Sequence, residues 1–269
     1  MQPDIYQVGA CLRPVPAGEL HAWVVPLDDE LAHADDCFDV LDRSERERAG
    51  RYAFVPLRYL AAHAALRGIL GHALGLAPEE VALETGVNGK PRLAPGMPAL
   101  FFNLSHSNEV AVVALSSHEG VGIDIERCTP VRELLPLVRR HFTRIEQDAF
   151  WAMGENERLA GFYRWWTCKE ACLKATGLGL SYPLDAFSVE FRPGFPPCVL
   201  EATIPLRLPL ITRFLRLLAG SRSRRCPDGQ FLVNFVDANL LLVRLFSANG
   251  SAGYCCITRL GPQMPDFGT

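Results

Sequence analysis

No run of apolar residues in this 269-residue chain is long enough to cross a bilayer, which excludes a membrane span as its organising feature. The opening stretch MQPDIYQVGACLRPVP lacks the charged start and apolar core of a secretory signal. A strong net charge is missing as well. Lys and Arg number 27 against 30 Asp and Glu, a formal −3, so total charge gives no support for nucleic acid or membrane as a partner. The nine cysteines show no zinc-ribbon spacing. Cys168 and Cys172 are four apart, and Cys255 and Cys256 are adjacent. Their odd number, without a secretory signal, reads as reduced thiols in a cytoplasm. Neither a Rossmann nor a Walker glycine pattern is present, and GLGL at 177–180 reads as a helix C-cap and turn. Ser105 and His106 are neighbours in a β-rich run and so face opposite ways. With no carboxylate at triad spacing, a Ser-His hydrolase is disfavoured.

What is present is apolar: 49% of residues are hydrophobic, enough for one large domain or two small ones. HAWVVPL (21–27) reads as a first strand. Ser44 and Glu47 stand at capping-box spacing before a helical region, and a second helix is expected over 57–75. VALET (81–85) alternates like a strand, and GVNGKP (86–91) is turn chemistry. LFFNLSHS and VAVVALSS form an expected hairpin, and GVGIDIERC (120–128) is another strand. Helices are expected through VRELLPLVRRHF, RIEQDAFWAM and the region around 164–177, followed by a return to strand. Near the end, Asn249–Gly250 between two β-rich runs is a hairpin signal. Strand, helices and strands thus occur twice, with a seam near residue 120. Basic residues cluster at 139–140 and again between 213 and 225, where SRSRRC reads as a solvated loop.

Three acidic residues carry the chemical argument. Asp124 and Glu126 are two apart on one strand and share a face. Two readings are open for them: an exposed acidic strand face, or a pair whose repulsion is reversed by a divalent cation. Oxygen donors favour magnesium or manganese over zinc. Glu170 lies within an apolar helical stripe with Phe162, Trp166, Leu173 and Lys174. An uncompensated buried carboxylate costs several kcal/mol. An exposed Glu170–Lys174 pair would return only roughly 0.3–0.5 kcal/mol. A helix packed on the GIDIE strand would let Glu170 join the same cation, with Lys174 beside it, an arrangement suited to a polyphosphate.

Four stretches in order, NGKPRL, FNLSHS, GVGIDIE and WTCKEACLK, resemble the motifs of the Sfp-type 4′-phosphopantetheinyl transferases over about residues 20 to 190. The resemblance implies an α+β fold of two pseudo-symmetric lobes, 1–119 and 120–269. Each would be a small antiparallel sheet with packed helices, with the active site in the cleft between and the metal site on the second lobe. It implies transfer of 4′-phosphopantetheine from coenzyme A to a serine of an apo acyl or peptidyl carrier protein, releasing adenosine 3′,5′-bisphosphate. Asp124, Glu126 and Glu170 would be the magnesium ligands, with manganese as the other candidate. Asp124, Glu170 and Lys174 would be catalytic, Lys174 at the pyrophosphate. Lys90, Ser105, His106, Arg48 and Arg51 would hold coenzyme A, although Glu45 occupies one position where the family has a basic residue. Lys169 matches the motif's first lysine without an assigned role. The carrier, from fatty-acid, polyketide or nonribosomal peptide synthesis, would dock near Arg132, Arg139, Arg140 and Arg144. The resemblance further implies a cytoplasmic monomer with no nucleic-acid or membrane partner. A magnesium-dependent pyrophosphate hydrolase acting on coenzyme A, and a non-catalytic module binding coenzyme A or a carrier, are the rival readings.

Overall fold

The β-branched and aromatic residues of ELHAWVVP form β1 (Glu19–Pro26), the middle strand of the first sheet. The computed structural model describes residues 15, 19–30, 38–49, 56–86, 88–179, 181–191, 198–202, 211–218, 230–237, 242–247 and 258–259. On one side β1 pairs antiparallel with β5 (Val110–Ser116), which pairs antiparallel with β4 (Phe101–Ser107). The β4–β5 hairpin turns at Asn108, whose φ of 52° is tolerated by an Asn. On its other side β1 pairs parallel with β11 (Leu242–Ser247), which is followed antiparallel by β12 (Thr258–Arg259). Short strands β2 (Leu83–Thr85) and β3 (Pro91–Leu93) form a separate ribbon around the 86–90 turn.

Both faces of the first sheet are covered, which is why β5 is buried at every position. Trp23, Val25, Val113 and Leu115 pack on one face against Ala62, Leu66 and Ile69. Those residues belong to α3 (Pro56–Leu74), which follows α1 (Leu27–Glu30) and α2 (Arg43–Ala49). Leu20, Ala22, Val112 and Ala114 point to the other face and meet Ile123 and Ile125 of β6 (Gly122–Arg127). Strand β6 begins a second sheet, in the order β6, β10 (Gln230–Asp237), β9 (Ile211–Leu218), antiparallel throughout. A further core gathers Val138, Phe142, Phe150, Phe162, Trp165 and Phe187. They come from α4 (Leu134–His141) and its C-cap Phe142, α5 (Arg144–Trp151), α6 (Glu155–Thr176) and β7 (Phe187–Glu190), the last paired with β8 (Cys198–Ala202).

The fold is α+β, with helices packed on small, largely antiparallel sheets. Two details depart from the sequence expectation. The first sheet is mixed, because the β1–β11 pair is parallel. Strands β11 and β12 also return to it from the chain's end, so a division at 119/120 does not partition the sheets. The helix cap in DRSERERA is made two residues earlier than Ser44, at Asp42. Asp42 Oδ1 accepts from the Glu45 amide at 2.9 Å, and Glu45 Oε2 accepts from the Asp42 amide at 3.0 Å. The Ser44 hydroxyl instead donates to Asp42. Gly177, with φ of 69°, closes α6 as expected for the GLGL stretch. The Asn249–Gly250 turn and most of residues 192–230 lie outside the described residues.

Candidate active site

Strand β6 meets β4 through side chains. Asn103 Oδ1, Ser105 Oγ and Ser107 Oγ accept from the amides of Ile123, Ile125 and Arg127, at 2.8, 3.3 and 3.1 Å. Alternate residues of FNLSHS thus act as a polar comb along the strand. The same hydroxyls hold the acidic residues. Ser105 donates to Asp124 Oδ1 at 2.9 Å, and Ser107 donates to Glu126 Oε2 at 2.8 Å. Asn103 and Ser107 were not singled out from sequence. Their signal was there, in the i, i+2, i+4 spacing around Ser105.

The opposite wall is α6, which lies directly on β6. A Cβ at Gly122 would collide with the backbone of Ala171 and Ala175, so only glycine permits this approach. The close contact brings Lys174 to the strand. Its Nζ donates to Asp124 Oδ1 at 2.5 Å and to Ser105 Oγ at 3.0 Å. Asp124 is 2% exposed, which rules out the exposed-strand reading for that residue. Its Oδ2 is buried without a hydrogen-bond partner.

Burial raises the pKa of all three carboxyls. For Asp124 it outweighs Lys174, Ser105 and the Ile125 amide. For Glu126 burial comes first and repulsion from Asp124 second, with Ser107 and Lys174 opposing. Glu170 is pushed up to about 8, by burial first and by Asp124 and Glu126 as well, against the pull of Lys174 and a bond from Trp166. The three groups therefore share one electrostatic environment. Among the described residues, no group of three or more His, Cys, Asp or Glu side chains is placed to hold a metal ion. Carboxylate oxygens, one of them buried and unpartnered on Asp124, are the donor type that a hard cation takes. Glu170 also lines a cavity of about 350 Å³ with Trp166, His141, Tyr182 and Asp185.

The residues expected around coenzyme A separate. His106 lies beside the site, and its pKa is lowered by loss of solvent around its ring first, then by His63 and Lys174. The Ser105 hydroxyl is occupied by Asp124, Lys174 and Ile125. The Lys90 ammonium donates to the carbonyls of Val121 and Lys174, at 2.8 and 2.7 Å. Beside it, Asn88 Nδ2 donates to Gly177 O at 2.8 Å, so the NGK turn caps the C-terminus of α6. Burial, partly offset by Glu119, lowers the Lys90 pKa to about 8. Arg48 bonds Thr85 Oγ1 at 2.8 Å, and Arg51 lies outside the described residues. Glu45 is buried in a network with Arg67, at 2.7 Å, and His63, at 3.1 Å. Cys168 and Cys172 are buried and are not joined in a disulfide. No helix among the described residues is long and apolar enough to cross a membrane.

Acidic residues that feel one another's charge beside a lysine are residue types from which sites for phosphate esters are built. Comparison with known proteins narrows that class. The model of the 4′-phosphopantetheinyl transferase superfamily matches residues 120–209. The 4′-phosphopantetheinyl transferase HetI of a Nostoc species is 35% identical over 182 residues, spanning 66% of this chain and 76% of that protein. The 4′-phosphopantetheinyl transferase Sfp of Bacillus subtilis is 34% identical over 135 residues, spanning 50% of this chain and 58% of that protein. A Xenopus laevis L-aminoadipate-semialdehyde dehydrogenase-phosphopantetheinyl transferase is 30% identical over 169 residues, 58% of this chain and 56% of that protein. The chain belongs to the 4′-phosphopantetheinyl transferase superfamily, on its Sfp-type branch.

Proposed function

We infer that this protein moves the 4′-phosphopantetheine group of coenzyme A onto a serine hydroxyl of an apo carrier protein, leaving adenosine 3′,5′-bisphosphate. What supports this reading is the electrostatic coupling of Asp124, Glu126 and Glu170, with Lys174 paired to Asp124, in a chain of this family. In this reading the chain works as a monomer of two lobes, 1–119 and 120–269, with strands β11 and β12 returning to the first. The site lies where β4 of one meets β6 and α6 of the other.

Asp124, Glu126 and Glu170 would hold magnesium, with manganese as substitute. When bound, such a cation offsets charge on the diphosphate and the leaving group. Lys174 Nζ stands on the same side, where it can stabilise the departing bisphosphate. The carrier serine is a weak nucleophile at neutral pH, and Glu170, in its deprotonated form, would be the group to take the hydroxyl proton. For coenzyme A the reading keeps His106, Arg48 and Arg51 at the nucleotide phosphates. Ser105 and Lys90 hold the frame that presents Asp124 and Lys174. Arg132, Arg139, Arg140 and Arg144 are exposed alongside the exposed side chains of Leu135 and Ile145, a surface suited to an acidic carrier.

The test is incubation with coenzyme A, magnesium and an apo carrier protein, read by mass spectrometry. The reading expects a phosphopantetheine adduct on the carrier serine. Free phosphopantetheine without an adduct would point to the hydrolase, and intact coenzyme A to a binding module.

A further inference from the structure

Lys169 adjoins Glu170 in sequence, yet it points into the protein. Its side chain is 0% exposed and pairs with Glu146, itself 1% exposed, at 2.8 Å. The other two donors of its ammonium go to the carbonyls of Leu184 and Phe187, at 2.7 and 2.5 Å. All three ammonium hydrogens are thus placed. Glu146 is equally saturated. Its Oε2 accepts from the Thr143 amide and its Oε1 from the Val189 amide, both at 2.8 Å. One ion pair therefore ties together α6, the start of α5, and the segment from Leu184 to Val189.

Such a pair is a poor stabilising device. Desolvating two charges offsets most of their attraction, and apolar residues of similar volume often serve stability as well or better. What the pair provides is fixed geometry, and its location says of what. The segment it holds begins with Leu184 and Asp185, which form the wall of the roughly 350 Å³ cavity that Glu170 also lines. Local bonds from Tyr182 N to Gly179 O and from Ala186 N to Pro183 O shape this turn, while core packing of Leu184 and Phe187 and a bond from Trp165 Nε1 to Val189 O at 2.9 Å seat its far end. The clamp ties it to the helix that carries Glu170.

We propose that Lys169, through Glu146 and the carbonyls of Leu184 and Phe187, is a positioning residue that fixes the 182–187 turn as the far wall of the cavity beside Glu170, so that the group attacking phosphorus meets a preformed site. This role rests on the transfer reading. The nucleotide end of coenzyme A lies at other residues in that reading, so loosening the wall acts on turnover more than on coenzyme A binding. Misplacement by about 1 Å in such a site can lower turnover on the order of 10²-fold.

The experiment compares the wild-type chain with the double variant Lys169→Met/Glu146→Leu. Thermal unfolding, kcat, KM for coenzyme A, and amide hydrogen exchange at 184–189 are measured on both. The expected result is a lowered melting temperature with a still cooperative transition, because the amides of Thr143 and Val189 and the carbonyls of Leu184 and Phe187 lose their partners, together with faster exchange at 184–189, a kcat lower by about tenfold or more, and a KM for coenzyme A within about threefold. A merely structural pair would move stability and leave the kcat of the folded molecules unchanged. Wild-type kcat in the folded double variant overturns the proposal, as does unchanged exchange at 184–189. If the double variant does not fold, Glu146→Gln retains the shape and the amide acceptor while removing the charge. It should then lower kcat several-fold, and an unchanged kcat there also overturns the proposal. A wild-type chain that transfers nothing refutes the functional reading itself, an outcome seen before any variant is compared.

Discussion

Asp124 concentrates the conflict that gives the site its chemistry. A nearly inaccessible carboxyl receives Ser105 and Lys174 on one oxygen and nothing on the other. Asp124→Asn keeps the shape and one acceptor but removes the charge. Transfer should fall on the order of 10³-fold or more while the unfolding transition stays cooperative, as read by turnover and calorimetry on the same sample. Glu170 adds a pH signature. The folded chain holds this proton up to about pH 8, whereas an unfolded chain releases it near the ordinary 4.5. Between those values the native state binds more protons, so the contribution of Glu170 to stability is greatest below 4.5 and declines as pH rises through 8. Glu170→Gln lacks that decline. Its melting temperature should gain on wild type between pH 5 and pH 8.5 without metal, and millimolar magnesium should narrow the gap. A difference that stays constant across that range would contradict the assigned environment.

At the level of elements, the contact of α6 with β6 decides whether the acidic residues meet. Gly122→Ala would drive a methyl into the backbone at Ala171 and Ala175. It should destabilise the chain by about 1–3 kcal/mol and lower transfer at least tenfold, because the helix carries both Glu170 and Lys174. Chemical denaturation and turnover measured together would check this. Much of this arrangement was legible beforehand. Asp124 and Glu126 share a face because strand periodicity is two, and Glu170 stood out as a carboxylate in an apolar helical stripe. The helices, the β4–β5 hairpin and the Gly177 cap also follow from local patterns. What was not legible depends on distant partners. Asn103 and Ser107 look like a solvent face until β6 lies against them. A lysine on a turn reads as solvated or phosphate-facing, yet the partners of Lys90 are carbonyls at positions 121 and 174. The parallel β1–β11 pair has no short-range signal, because parallel neighbours are joined by crossovers rather than turns. The cap at Asp42 was missed because an aspartate and a serine two residues apart, Asp42 with Glu45 and Ser44 with Glu47, both satisfy the pattern.

Across the whole molecule, charge is nearly balanced, but it is not evenly spread. Arg132, Arg139, Arg140 and Arg144 are exposed on and around α4 and α5, and His141 and Arg140 reach the cavity at Glu170. An acidic carrier approaching that face would be steered toward the site. Arg139→Glu/Arg140→Glu should raise KM for the carrier about tenfold at low ionic strength while leaving KM for coenzyme A unchanged. The gap between variant and wild type should close as salt is raised, since exposed charges are screened within about 10 Å at 0.1 M. A carrier KM that ignores both the substitutions and the salt would move the docking face elsewhere.

Anomalous diffraction from crystals grown with manganese and coenzyme A tests the shared cation most directly. The account predicts a single strong peak within ligand distance of the carboxylates of Asp124, Glu126 and Glu170, with Lys174 turned from Asp124 toward the diphosphate. A peak bound elsewhere, or no peak between these side chains in crystals whose protein is active with manganese, would contradict it.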